Sequence, residues 1–353
     1  MRAAAPPGAA PPIRSLPKGG IFTKENQPTG FGYRRIAWRF VASYRDGSWD
    51  GGRLTRRSTV RLSEAAGVIQ YAETCFEGLK AYRTADGGIA CFRPDLNGER
   101  LKSSCLRLAM PPLPDGMFLS AVQRVVRANA RVLPPFGSGG SLYLRPTVFG
   151  TGAVLGVKPA ETYEFRLFGS PVASYFAGGE RLLSLRVSDY DRAAPRGTGH
   201  VKAGLNYAMS LYPLMEAHAE GFDENIYLDA ATRTWVEETG GANLLFLKKD
   251  GTVVTPHSDS ILPSITRRSL GTVAGLLGIP WEERRVRAEE FADFCGCALC
   301  GTAAVLSMVG RITWGGRVFS YPASPVFAAL RERLLAIQHG TEAAPDGWIF
   351  RIS

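Results

Sequence analysis

Nowhere in the 353 residues does an apolar run approach the ~18 that a membrane-spanning helix needs, so the chain reads as a protein outside the bilayer. The N-terminal stretch Met1–Pro12 also lacks a hydrophobic signal region. Its alanines, glycine and prolines favour a disordered leader, set at residues 1–20, on a protein of the cytoplasm. Histidine is scarce, with four in all, and the six cysteines show no metal-ligand spacing. Cys295, Cys297 and Cys300 cluster, but neither Cys75, Cys91 and Cys105 nor the histidines supply a matching second pair. No metal is expected; the cluster reads as reduced thiols buried in a strand. The net charge of +10 rests on dispersed arginines without interleaved aromatics, which reads as a solvated basic surface and not as a nucleic-acid face. No repeat of solenoid period occurs.

What is present is a globular composition, 45% hydrophobic and 21% charged. The chain is longer than the roughly 250–300 residues at which a single core stops growing. Two mixed α/β domains are therefore expected, a smaller one at 21–168 and a larger one at 182–353. Between them, 169–181 forms a connector of small residues carrying Tyr175 and Phe176. Patterning predicts strands over 36–42, 67–71, 76–83, 89–92, 142–149 and 163–168 in the first half, with helices over 97–108 and 118–132. The second half has strands over 183–187, 225–228, 244–247 and 253–254, and helices over 207–219, 266–277 and 326–337. Pro213 predicts a kink or a late start, because it removes an amide donor.

Lys202 stands in Thr198-Gly199-His200-Val201-Lys202-Ala203-Gly204-Leu205-Asn206-Tyr207, a lone cation between an apolar residue and a turn-forming Gly-x-Asn. Desolvation at such a place lowers a lysine's pKa and frees the amine to attack a carbonyl cofactor, although most lysines are solvated surface residues. The cofactor then needs a phosphate anchor, a carboxylate for a ring nitrogen and a donor for a ring oxygen. Thr266 heads a helix in Leu262-Pro263-Ser264-Ile265-Thr266-Arg267, where its hydroxyl and the amides of Ile265 and Thr266 can face an anion, or form an ordinary cap. Gly301-Thr302-Ala303-Ala304 after a strand can make a second anion nest. Glu237-Glu238 precedes a glycine turn and an apolar strand; one of the two can keep a pyridine nitrogen protonated, or both can be a solvated turn.

These segments, with Tyr71-Ala72-Glu73-Thr74-Cys75-Phe76-Glu77-Gly78-Leu79-Lys80-Ala81-Tyr82-Arg83, Phe92-Arg93-Pro94 ahead of Arg100-Leu101, and Tyr143-Leu144-Arg145-Pro146, occur in a specific order. The order resembles that of the branched-chain amino acid aminotransferases, class IV enzymes of fold type IV that use pyridoxal 5′-phosphate. The likeness runs from about residue 64 to the C-terminus. It implies an α/β (α+β) fold with a smaller N-terminal domain and a larger one built as a pseudo-barrel, paired as a homodimer. By the same resemblance Lys202 forms the internal aldimine and shuttles the proton, Glu238 partners the ring nitrogen and Tyr207 the ring oxygen. Arg100, Ile265, Thr266 and Thr302 match phosphate positions. The amides of Thr302 and Ala303 with the Tyr143 hydroxyl match the substrate α-carboxylate site, and Tyr71, Phe76 and Arg145 line the side-chain pocket. The implied substrates are an apolar L-amino acid and its 2-oxo acid, with glutamate and 2-oxoglutarate as co-substrates.

Some positions depart from that pattern. Leu205 and Ser264 stand where the family usually has glycine, Ser307-Met308 replace Thr-Pro, and Gln70 replaces a common histidine. In an extended segment His200 and Lys202 share a face, which would bring His200 to the substrate; a hydrogen-bonded structural histidine is the alternative. The substrate stays open between leucine, isoleucine and valine and a bulkier apolar 2-oxo acid of a specialised route. A lyase of the same fold is the competing reaction, against which the chain length and the Tyr143-x-Arg145 element weigh.

Overall fold

The computed structural model describes residues 32–173 and 181–352. The first half builds an antiparallel sheet from β1 (Arg39–Arg45), β2 (Ser48–Trp49), β3 (Arg53–Thr55), β4 (Thr74–Phe76), β5 (Leu79–Arg83), β6 (Ile89–Phe92), β7 (Ser141–Gly150) and β8 (Tyr163–Val172). Along β8 buried and half-buried residues alternate, the period-2 signature of a sheet with one face on a core. That core is closed by α2 (Pro94–Arg107) and α3 (Met117–Ala128), which follow a short α1 (Gly67–Tyr71). On α3 the residues Phe118, Ala121, Val122, Val125 and Val126 repeat at helical spacing and are all buried.

The second half forms a mixed sheet from β9 (Leu183–Val187), β10 (Glu224–Leu228), β11 (Val236–Thr239), β12 (Asn243–Leu247), β13 (Val253–Pro256), β14 (Trp281–Arg284), β15 (Gly296–Gly301), β16 (Val305–Trp314) and β17 (Arg317–Ser320). Three helices go with it: α4 (Gly204–Ala219), α5 (Ile265–Leu276) and α6 (Pro325–His339). Ser264 caps α5 by accepting from the Arg267 amide at 3.1 Å, and Ser324 caps α6 through the Phe327 amide at 3.4 Å. The chain then returns: β18 (Ile349–Arg351) pairs with β6 of the first sheet, so the last residues leave the 182–353 unit expected from sequence. Tyr82, Phe92 and Trp348 pack against α5 and α6 and weld the two halves together.

Four local readings change. The run 67–71 is helix and not strand: only Gly67 is buried, so Val68 and Ile69 have no sheet to enter, and the Ile69 and Gln70 amides turn back to the Ala66 carbonyl. A Cβ on Gly67 would sit 2.1 Å from the Glu73 carboxylate, which explains the glycine there. The expected strand 76–83 is broken at Glu77-Gly78, where the Glu77 amide donates to the Pro146 carbonyl at 2.8 Å. Pro213 lies inside α4, which starts earlier than expected and runs on past it. β8 continues to Val172, into the expected connector, while Tyr175 and Phe176 lie outside the described residues, as does the leader. Cys297 and Cys300 are free, buried thiols of β15. No helix among the described residues is long and apolar enough to cross a membrane.

Candidate active site

The cleft between the sheets holds a cavity of 210 Å³. Lys202 enters it from the segment before α4, where Asn206 Nδ2 donates to the carbonyls of Thr198 at 2.6 Å and Val201 at 2.7 Å and folds the loop on itself. That is the physical content of the Gly-x-Asn signal. The lysine backbone is held at both ends: its amide donates to Ser104 Oγ at 3.2 Å, and its carbonyl accepts from the Phe76 amide at 3.0 Å. Nζ lies 2.9 Å from the Tyr207 hydroxyl and 5.0 Å from the Phe76 ring centroid. Burial, aided by the nearby Arg100 charge and opposed by Glu77, pulls the amine down to about 8.

The same cavity is lined by Phe76, Arg100, Tyr143, Arg145, Tyr207, Glu238, Ile265, Thr302 and Ala303. Glu238 sits on the wholly buried β11. Its Oε1 accepts from the Leu262 amide at 2.9 Å and faces the Arg192 guanidinium at 3.1 Å, while Oε2 accepts from Asn243 Nδ2 at 2.5 Å. Burial pushes this carboxyl up to about 7, with Arg192 and the Leu262 amide resisting. Burial likewise lifts the Tyr207 hydroxyl to about 12. Arg100 is clamped by Glu77, whose carboxylate takes Nε at 2.7 Å and Nη2 at 2.8 Å, and Nη1 donates to the Pro263 carbonyl at 2.9 Å. Burial works against ionising Glu77, but the Arg100 charge and hydrogen bonds outweigh it and hold the carboxyl below its usual range.

Two expected residues lie elsewhere. Tyr71 is on the outer α1, half exposed, with its hydroxyl donating to the Leu155 carbonyl at 2.5 Å. Thr266 is buried just behind Ile265, at a small side cavity with Thr302 and Gly78. His200 does not share the cleft face of Lys202: it is exposed and borders an outer groove with Arg267 and Arg268. The segment turns between the two residues, so the extended geometry that would align them is not formed. Three polar groups were missed from sequence. Glu77 stood inside a quoted motif but had no role, and Asn243 and Arg192 carried no local signal. Their side chains find partners 5 to 68 residues away, from Asn243 with Glu238 to Arg192 with the Ser260 carbonyl.

A model of the family described as amino-transferase class IV matches residues 74–312. The chain is 44% identical to the branched-chain-amino-acid aminotransferase of Helicobacter pylori over 327 residues, covering 92% of this chain and 96% of that one. It is also 44% identical to the Haemophilus influenzae protein of the same name, over 92% and 97%. Among solved structures, the branched-chain amino acid aminotransferase of T.th. with pyridoxamine 5′-phosphate matches with a TM-score of 0.78 and 26% identity, covering 91% of this chain and 100% of that one. The two sheets thus form the fold-type IV architecture that the ordered motifs implied. The chain belongs to the class IV aminotransferases, in the branched-chain amino acid aminotransferase family, whose cofactor is pyridoxal 5′-phosphate.

Proposed function

We propose that the protein moves an amino group between a branched-chain L-amino acid (leucine, isoleucine or valine) and 2-oxoglutarate, in two ping-pong half-reactions. The observation that carries this reading is the buried Lys202 amine, 2.9 Å from the Tyr207 hydroxyl in a cavity that also holds Glu238. The donor set fits pyridoxal 5′-phosphate. Glu238 is a buried carboxylate for the ring nitrogen and Tyr207 a donor for the ring oxygen, while Arg100, Thr302 and the start of α5 at Ile265 and Thr266 suit the phosphate. When bound, the cofactor supplies an electron sink for the charge left as the substrate Cα–H bond breaks.

Lys202 takes the proton from Cα, a task suited to an amine whose pKa is drawn down to about 8. Arg192 favours the ionised form of Glu238 against burial. The α-carboxylate is read by the Tyr143 hydroxyl and the amides of Thr302 and Ala303. Arg145 lies 4.6 Å from the Phe76 ring centroid, and its Nε is buried without a hydrogen-bond partner among the described residues. One pocket thus offers an aromatic wall to an apolar side chain and the Arg145 guanidinium to the distal carboxylate of glutamate.

We read the enzyme as a homodimer of the cytoplasm. Leu155 and Val157 are each 89% exposed on the loop that the Tyr71 hydroxyl holds, an apolar surface that suits a second copy and would carry Tyr71 to that copy's side-chain pocket. The six cysteines are all free, as suits a reducing compartment.

The test is a panel of amino donors followed by the change in cofactor absorbance in single half-reactions. Leucine, isoleucine and valine should react, and Lys202→Ala should slow the reaction by about a thousandfold or more. Failure of all three donors while another amino acid reacts would overturn the branched-chain assignment; an unslowed Lys202→Ala would overturn the role of the lysine.

A further inference from the structure

Lys80 is a half-buried cation that the chemistry above leaves unused. It lies on β5 directly opposite Tyr143 of β7, and paired residues of neighbouring strands share a face. Its Nζ crosses to the other sheet and donates to the Ala303 carbonyl at 2.6 Å. Nearby, Thr302 Oγ1 donates to the Gly78 carbonyl at 3.3 Å, so the turn between β15 and β16 is tied to the first sheet through two of its residues. Among the described residues no carboxylate pairs with Lys80, and burial draws its ammonium down to about 8.

Ala303 separates two cavities. On one side is the cleft of Lys202; on the other is a 340 Å³ cavity bordered by Lys80 and His339. Lys80 borders the second cavity and not the cleft, so the Ala303 carbonyl is held on the Lys80 side of the turn. The oxygen that Lys80 holds belongs to the 303–304 peptide, next in the chain to the units that carry the Thr302 and Ala303 amides; turned into the cleft, it would set a partial negative charge against any carboxylate bound at those amides.

We propose that Lys80 is a positioning residue for the substrate α-carboxylate: it holds the Ala303 carbonyl behind the turn, reserves the cleft side for N–H donors, and places a fixed positive charge behind them. This rests on the reading above that Thr302, Ala303 and Tyr143 receive that carboxylate. A half-buried ammonium partnered by a carbonyl and by no carboxylate is under-compensated, and an anion across the turn relieves it, so carboxylate binding and the Lys80 charge favour each other.

The experiment compares two ligands on the cofactor-loaded enzyme by calorimetry: 4-methylpentanoate, a branched acid without an amino group, and its uncharged amide. Lys80→Met should weaken the acid about tenfold or more and leave the amide within about twofold, as expected for loss of a charge-assisted contact. Lys80→Arg, which keeps charge and donors, should restore most of the affinity, and the cofactor absorbance should be unmoved in both. Should the methionine variant fail to fold, Lys80→Gln serves, with a donor but no charge. Acid binding unchanged within about twofold in the neutral variant, or equal losses for acid and amide, overturns the proposal. Because no turnover is read, this outcome is independent of whether leucine, isoleucine and valine prove to be the substrates.

Discussion

Replacing Glu77 by glutamine probes the most completely satisfied buried charge in the site. The carboxylate is 0% exposed and receives four donors: Arg100 Nε at 2.7 Å, Arg100 Nη2 at 2.8 Å, Asn97 Nδ2 at 2.7 Å and the Gly78 amide at 3.2 Å. Glutamine keeps one acceptor oxygen and turns an NH2 toward N–H groups, leaving Arg100 without its counter-charge. Breaking one partner of a buried pair costs about 3–5 kcal/mol. For a chain of this size that is a fall of about 4–7 °C in the thermal midpoint, measured by calorimetry without added cofactor. The sign of the pH dependence follows from the depressed carboxyl. The pair's stabilisation is fully present above the unfolded glutamate value of about 4.3 and is lost as pH falls through the lower folded value, so wild type and variant should converge in acid. Adding Arg100→Met to Glu77→Gln should recover part of the loss, because it removes the stranded charge. A midpoint within about 1 °C of wild type, or a double variant no better than the single, would refute this account of the pair.

Two further perturbations test other parts of the structure. A Cβ on Gly78 would meet the Tyr143 hydroxyl at 2.1 Å, so Gly78→Ala should displace that ring and raise the KM for amino acid about tenfold while cofactor affinity holds; an unchanged KM would mean that Tyr143 does not touch substrate. Glu224 is pushed up to about 7 by burial, so its neutral form favours folding below about 4.3 and that contribution disappears as pH rises through 7. Glu224→Gln should therefore be the more stable protein at pH 8, and equal unfolding midpoints there would contradict the shift.

Much of the site was legible because its signals are local. The Lys202 loop announces itself through Asn206, which bonds back over five and eight residues, and the head of α5 through Ser264 capping its own first turn. The same locality misled at 67–71, where a β-rich run met no partner strand and curled into a helix, and at His200, where a turn undid the extended spacing.

By itself the sequence determined which residues carry reactive groups, the order of the motifs, and the short turns and caps that present Lys202, Ile265 and Thr302. Only the tertiary structure decided what surrounds them. It turned Tyr71 outward, placed Glu77 under Arg100 and Arg192 against Glu238, and sent Lys80 across to the Ala303 carbonyl, 223 residues along the chain. The reason is physical: backbone preferences act over a few residues, whereas a buried charge is satisfied by whichever distant element the packing brings to it.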